Sequence, residues 1–181
     1  MKTDAEYLEY LWPMRHYLIT CGDINGSKNI ITVSFCMPVS KNPPVIGIAI
    51  MKESFSYSLI SKNKEFAVNV PLQTLDSACY YCGYHSGRDI DKFEKTGLTP
   101  LRAKQISAPI IDECIAHIEC FYMQEIETGD KVLILGEVIE AYGDKNIAEK
   151  LNLADHAFGD FPEKVYGGRF PDAGVSNGDT K

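Results

Sequence analysis

Between Tyr17 and Tyr142 the apolar residues fall in short runs, some continuous and some alternating with polar ones, and turn signals separate them. That pattern predicts strands. Tyr17 to Gly22 (YLITCG) and Asn29 to Met37 (NIITVSFCM) flank the turn-rich DINGSK, which predicts a hairpin around Asn25-Gly26. Val45 to Met51 (VIGIAIM), after the break at Pro43-Pro44, has the length and bounds of a buried strand, and Phe66 to Val70 (FAVNV) is another, closed by Pro71. The clearest hairpin joins Cys114 to Thr128 with Lys131 to Tyr142. In its first strand Ala116, Ile118, Cys120, Tyr122 and Ile126 share one face, with His117, Glu119 and Glu125 opposite. Its second strand is apolar on both sides and is expected to be covered twice.

Helical spacing shows in two places. Ser54 to Lys64 (SFSYSLISKNK) opens on a capping serine and aligns Phe55, Leu59 and Ile60; Leu72 to Cys82 aligns Leu72, Leu75, Ala78, Cys79 and Cys82. Gly83 to Pro100 is polar, with a helical turn predicted at Asp91 to Lys95, and its length marks it as functional or internally structured. Thr3 to Trp12 reads as an arm or short helix, and Pro171 to Lys181 as a frayed tail. No repeat or linker splits the chain, so one domain over residues 1–170 is expected, with a tail at 171–181. About six strands joined mostly as hairpins, with two helices between them, predict a mainly β, antiparallel barrel, closed or partly closed, with short peripheral helices.

Composition narrows the function. The 181 residues suffice for one core without disulfide or metal. A net charge of −7, with 18 basic against 25 acidic residues and no dense basic run, lacks the footprint of nucleic-acid binding. A small anion needs only a few local cations, so it stays open as a ligand. No stretch approaches the ~20 apolar residues of a membrane helix. The first fifteen residues carry Asp4, Glu6 and Glu9 and no apolar signal core. The six cysteines, at 21, 36, 79, 82, 114 and 120, are therefore expected as free thiols in the cytoplasm.

Several segments carry candidate chemistry. On an extended strand Thr32, Ser34 and Cys36 point one way, and such a polar row suits a flat heteroaromatic ligand, although the pattern alone favours an edge strand with one wet face. Lys52, Ser54, Ser56 and Ser58 cluster at a predicted helix start, where free N–H groups favour an anion, although the pattern alone favours serine capping with a solvated lysine. Arg88 and Lys92 sit on a glycine-containing loop that fits a phosphate clamp, or a salt-bridged surface loop partnered by Asp89 and Asp91. Cys79 and Cys82 have C-x-x-C spacing but lie at the end of a predicted helix, without a second ligand pair, and read as buried apolar residues. No metal site and no catalytic nucleophile or Rossmann motif is present in the pattern, so redox work would need a bound cofactor.

Four segments, in order, carry a resemblance: LITCGDINGSKNIITVSFCMPVSKNPPVIGIAI, SYSLISKNKEFAVNVP, CGYHSGRDIDKF with KTGLTP, and GDKVLILGEV. Together they resemble the flavin reductase-like family, the FMN-binding split barrel, from about Trp12 to Gly168, with flavoredoxins most alike. The resemblance implies an FMN oxidoreductase, with NADH or NADPH as possible donor, or a flavoredoxin-like electron carrier served by a redox partner protein, or a non-redox FMN-binding module. It implies that Asn29, Thr32, Ser34, Phe35 and Cys36 line the flavin, that Ser56, Lys52 and Lys92 hold the phosphate and ribityl chain, and that Lys131 and Tyr166 are further contacts. It implies a homodimer with the site at its interface. Phe35 stands where the family often has Trp, and Lys131 where it often has His.

Overall fold

A computed structural model describes residues 14–150, with Tyr7 and Leu11. The contacts divide the chain into two compact units, Met1–Asp144 and Lys145–Lys181. Among its described residues the first carries nine strands: β1 Tyr17–Gly22, β2 Lys28–Val33, β3 Cys36–Lys41, β4 Pro44–Ile50, β5 Glu65–Val70, β6 Pro100–Arg102, β7 Pro109–Ile111, β8 Ala116–Thr128 and β9 Lys131–Gly143. Its helices are α1 Phe55–Asn63, α2 Asp76–Tyr84 and α3 Lys92–Thr96. In the second unit, α4 Ile147–Lys150 is the element among the described residues.

Seven strands form one sheet in the order β2-β1-β5-β8-β9-β4-β3, with every pair antiparallel. The two edge strands, β2 and β3, are separated in the chain only by Ser34 and Phe35. A short extended link spans only about 3.3–3.6 Å per residue. The sheet must therefore curl until its edges meet, and because β2 and β3 do not pair, the result is a split barrel. Pro38 is tolerated in β3 because an edge strand can forgo a ladder donor.

Local chemistry sets the corners. Gly22 has φ +95°, and a Cβ there would lie 2.1 Å from Ser27 O, so the β1–β2 turn requires glycine. Ser54 caps α1 by accepting from Tyr57 N at 3.1 Å, and Lys64 ends it in a left-handed conformation. The barrel core is built from Ile19, Ile48, Phe66, Val68, Cys120 and Ile134, all essentially inaccessible. Gly136 admits the Phe66 ring, whose Cζ would stand 2.5 Å from any Cβ at that position. A second cluster packs Leu18 and Ile30 under α2 and α3.

In β8 the two faces alternate as expected through Tyr122, but the polar face is buried as well and Ile126 leaves the apolar one. His117 and Glu119, read as the face opposite the apolar one, are 8% and 0% exposed, while Ile126 is 48% exposed. The register shift at Tyr122/Gln124 leaves Met123 as an extra residue in β8 and turns Ile126 off the face of Tyr122, whereas the shift at Glu119/Cys120 places its extra residue, Ile139, in β9. The segment 103–111 covers the polar face: Glu119 accepts from Lys104 N at 2.8 Å, Gln105 N at 2.7 Å and Tyr142 OH at 2.7 Å. Glu65 accepts from Ser107 N and Ala108 N. His117 Nδ1 donates to Asn69 Oδ1 at 2.9 Å, an oxygen that also receives Ile111 N. Along β9, Val132 and Ile134 are buried, whereas Leu133 and Leu135 are only half-buried, so its second face is partly covered.

Candidate functional site

Beside α1 lies an open cleft of about 260 Å³. One wall is the Met51–Ser56 turn entering α1, the other is the Cys82–Gly87 end of α2 and the loop after it, and Asn29, Ile31 and Lys92 also line it. Three sequence-predicted residues meet here. Asn29 of β2 is 4% exposed and its Nδ2 donates to Ser56 Oγ at 2.9 Å. Ser56 is fully buried in the first turn of α1. Lys92 opens α3 and is 4% exposed, with Nζ donating to Ile30 O at 2.8 Å and Cys82 O at 2.7 Å.

Lys92 dominates the electrostatics. Burial holds its ammonium below the usual lysine range, with the thiols of Cys82 and Cys21 pulling weakly the other way. Among the described residues no carboxylate is paired with it. A buried cation with only carbonyl partners, at the edge of an open cleft, is a place where an anion is stabilised. The N-terminus of the nine-residue α1 adds its free N–H groups and dipole to the same cleft. The Cys21 thiol beneath is pushed up to about 12 by burial, with Ser56 and Lys92 offsetting part of the rise.

The other predicted residues stand elsewhere. Thr32 turns to α2, where Oγ1 donates to Cys79 O at 2.5 Å, and does not line the cleft. The expected row of Thr32, Ser34 and Cys36 ends at the bend between β2 and β3, because a strand's alternation does not continue through a bend. Ser34 Oγ lies 2.7 Å from His16 Nδ1. Phe35 is 36% exposed and its carbonyl accepts from Ala49 N, two residues before the cleft-lining Met51. Cys36 is half-buried, its thiol pushed up to about 12 by burial. Lys131 pairs with Asp130 at 2.9 Å and stands 5.8 Å from the Phe35 ring, so the two departures from the family pattern are neighbours. Lys52 is exposed and ion-paired with Glu127. Tyr166 lies outside the described residues.

Several cleft residues escaped the sequence pattern. Gly87 approaches so closely that a Cβ would fall 2.0 Å from Asn29 Oδ1, and the glycine in SGRD was the available signal. Tyr84 and His85 line the cleft at the end of α2, where Tyr80 stacks on Tyr84 and Tyr81 on His85. The C-x-x-C thiols of Cys79 and Cys82 are buried in α2 and pushed up to about 11, mainly by burial. Among the described residues no cluster of His, Cys, Asp or Glu is arranged to hold a metal, and no helix is long and apolar enough to cross a membrane.

Comparison with known proteins agrees with this architecture. The family described as flavin reductase like domain matches residues 10–162. An uncharacterized protein of Archaeoglobus fulgidus is 38% identical over 138 residues, spanning 76% of this chain and 77% of that one. A flavin reductase of Pseudomonas putida is 30% identical, over 67% of this chain and 68% of its own. Among solved structures, the flavoredoxin of Desulfovibrio vulgaris (Miyazaki F) aligns with a TM-score of 0.72 at 26% identity, over 80% of this chain and 77% of that chain.

Proposed function

Because the chain belongs to the flavin reductase like domain family, we propose that it is an oxidoreductase that binds FMN with its phosphate end in the cleft beside α1. The observation that carries this reading is Lys92, a buried ammonium without a carboxylate partner among the described residues, lining an open cleft at a helix N-terminus. That combination suits a phosphate, which needs cationic charge and N–H donors together. Asn29 and Ser56 supply the polar floor that fits a ribityl chain, and Ile31, Met51 and Phe55 an apolar wall.

Bound flavin would supply the redox chemistry, accepting a hydride or electron pair from NADH, NADPH or a redox partner protein and passing it on. The protein's own residues bind and orient. Lys92 offers the phosphate charge, and the Asn29–Ser56 bond keeps both polar groups aimed into the cleft. Lys131 stands over Phe35 at the tip of the β8–β9 hairpin, where its pairing with Asp130 offsets part of the positive charge it offers a group bound nearby. No side chain is assigned an obligatory acid–base role.

A second copy of the chain completes the site in this reading. At about 260 Å³ the cleft is smaller than the roughly 300–1,000 Å³ usual for small-molecule sites, so it accounts for part of a flavin nucleotide. Met37, Val39, Phe121, Met123 and Ile126 are 45–54% exposed on β3 and β8. Val39, Leu133 and Leu135 converge over Gly47, which brings β3, β4 and β9 into one apolar surface. Apolar surface of this extent supports a homodimer.

The test is the visible spectrum of freshly purified protein, followed by anaerobic addition of NADH and NADPH. A flavin spectrum that bleaches rapidly with one nucleotide supports a reductase and names its donor. One that bleaches only with dithionite assigns a carrier fed by another protein. A colourless protein that takes up no added FMN refutes the reading.

A further inference from the structure

The loop after α2 carries a second cation beside Lys92, Arg88, for which the sequence left a phosphate clamp and a salt-bridged surface loop both open. Arg88 is exposed, and its Nη2 donates to Glu53 O at 3.0 Å while its guanidinium stands 5.5 Å from the Phe55 ring. Glu53 and Phe55 belong to one wall of the cleft; Ser86 and Gly87, just before Arg88, belong to the other. The side chain therefore bridges the two walls. The acids beside it in sequence do not neutralise it. Asp91 Oδ1 is engaged as the cap of α3, accepting from Phe93 N and Glu94 N, and no ion pair to Arg88 occurs among the described residues. A guanidinium has five N–H donors, and a neutral carbonyl uses one of them without matching the charge. An anionic oxygen satisfies both charge and fork geometry.

We propose that Arg88 is a latch across the cleft: it stays anchored to the Glu53 wall and turns its remaining donors onto the phosphate of the bound nucleotide. Residence of the nucleotide, rather than recognition of its ring, then depends on Arg88. This rests on the flavin reading of the cleft and deepens it, because retention is what separates a resident cofactor from an exchanging substrate. Lys92 is too buried and too fully tied to Ile30 O and Cys82 O to move with the ligand, whereas Arg88 sits on the exposed side with donors to spare.

The test measures release of FMN and of riboflavin, which lacks the phosphate, from wild type, Arg88→Gln and Arg88→Lys by stopped-flow flavin fluorescence. Thermal unfolding without flavin serves as the folding control, and an exposed side chain should leave it unchanged. Arg88→Gln is expected to release FMN about ten-fold faster or more, the scale of one charge-assisted hydrogen bond, with Arg88→Lys between it and wild type. Riboflavin release is expected to be the same in all three. FMN release from Arg88→Gln at the wild-type rate overturns the latch. Equal acceleration of riboflavin overturns it too, because Arg88 would then only hold the walls together. A wild type that binds neither compound removes the flavin reading itself and the latch with it, an outcome distinct from both.

Discussion

Replacing Gly87 with alanine is expected to break the floor of the cleft. The Cβ it adds would lie 2.0 Å from Asn29 Oδ1 and 2.6 Å from its Cγ, against the 3.4 Å at which ordinary contact begins. Gly87 is not in the left-handed region, so the overlap is the whole cost. Two movements can relieve it. Asn29 can swing away, but its amide is buried and bonded to the fully buried Ser56 hydroxyl at 2.9 Å. Leaving those groups short of partners costs about 1–3 kcal/mol. Alternatively the loop can lift, which breaks the Arg88–Glu53 bond at a cost of roughly 0.5–1.5 kcal/mol. Either movement spoils the cleft, so weaker FMN binding is expected alongside the lost stability. Urea unfolding with FMN titration, on Gly87→Ala, Asn29→Ala and the double variant, measures both. Asn29→Ala removes the obstructing amide, so the double variant should lose less than the sum of the singles, with a coupling on the order of 0.5–3 kcal/mol. Additive singles, or a Gly87→Ala protein with the wild-type urea midpoint and FMN affinity, refute the close approach.

Three further outcomes follow from the same geometry. Lys92→Met keeps the stem and removes the ammonium; FMN affinity should fall roughly 10- to 150-fold while riboflavin affinity barely changes, by fluorescence titration of each. Lys52→Ala should leave FMN affinity unchanged and cost no more than about 1 kcal/mol, because its partner is the exposed Glu127 and neither lines the cleft; a large affinity loss would return Lys52 to the phosphate site. Burial lowers the His117 pKa from its ordinary 6.5, with Glu119 and Asp112 pulling the other way, so the unfolded chain takes up this proton first. The His117 contribution is thus complete above pH 6.5 and is lost as pH falls through the lower folded value, with a slope of at most about 1.4 kcal/mol per pH unit. His117→Asn should flatten that part of the stability–pH curve, and an unchanged curve would refute the assignment.

The strand and helix order was legible because one-sided burial writes itself into spacing. The capped start of α1 and the β8–β9 hairpin were readable for that reason. Where the chain bends or bulges, spacing ceases to report direction. Asn29 to Met37 read as one strand, yet the barrel splits at Ser34 and Phe35, and the polar row divides between the α2 side and a new strand. His117 and Glu119 read as a polar face, and the cover of residues 103–111 buries it; Glu119 is satisfied by the backbone N–H groups of Lys104 and Gln105 and His117 by the Asn69 side chain, all distant in sequence. The short pair β6–β7 left no periodic signal, since three-residue strands show hardly one alternation. Lys92 was visible as a cation near a glycine; its burial was not, because that depends on the two carbonyls it meets.

Those carbonyls link the site to the way the barrel closes. β2 is an edge strand, and an edge leaves main-chain acceptors that a neighbouring strand would otherwise take. At the split no strand arrives. Ile30 O instead accepts from Lys92, and Cys82 O, near the end of α2 where helical carbonyls lack intrahelical donors, accepts from the same ammonium. One side chain thus ties α2 and α3 to the open edge and holds a buried charge there. An apolar residue at 92 could fill the volume but would leave both carbonyls without these donors; a carboxylate would repel them. The positive charge at the cleft is therefore a consequence of closing a split sheet with a lysine, and an anion in the cleft offsets the cost of burying it.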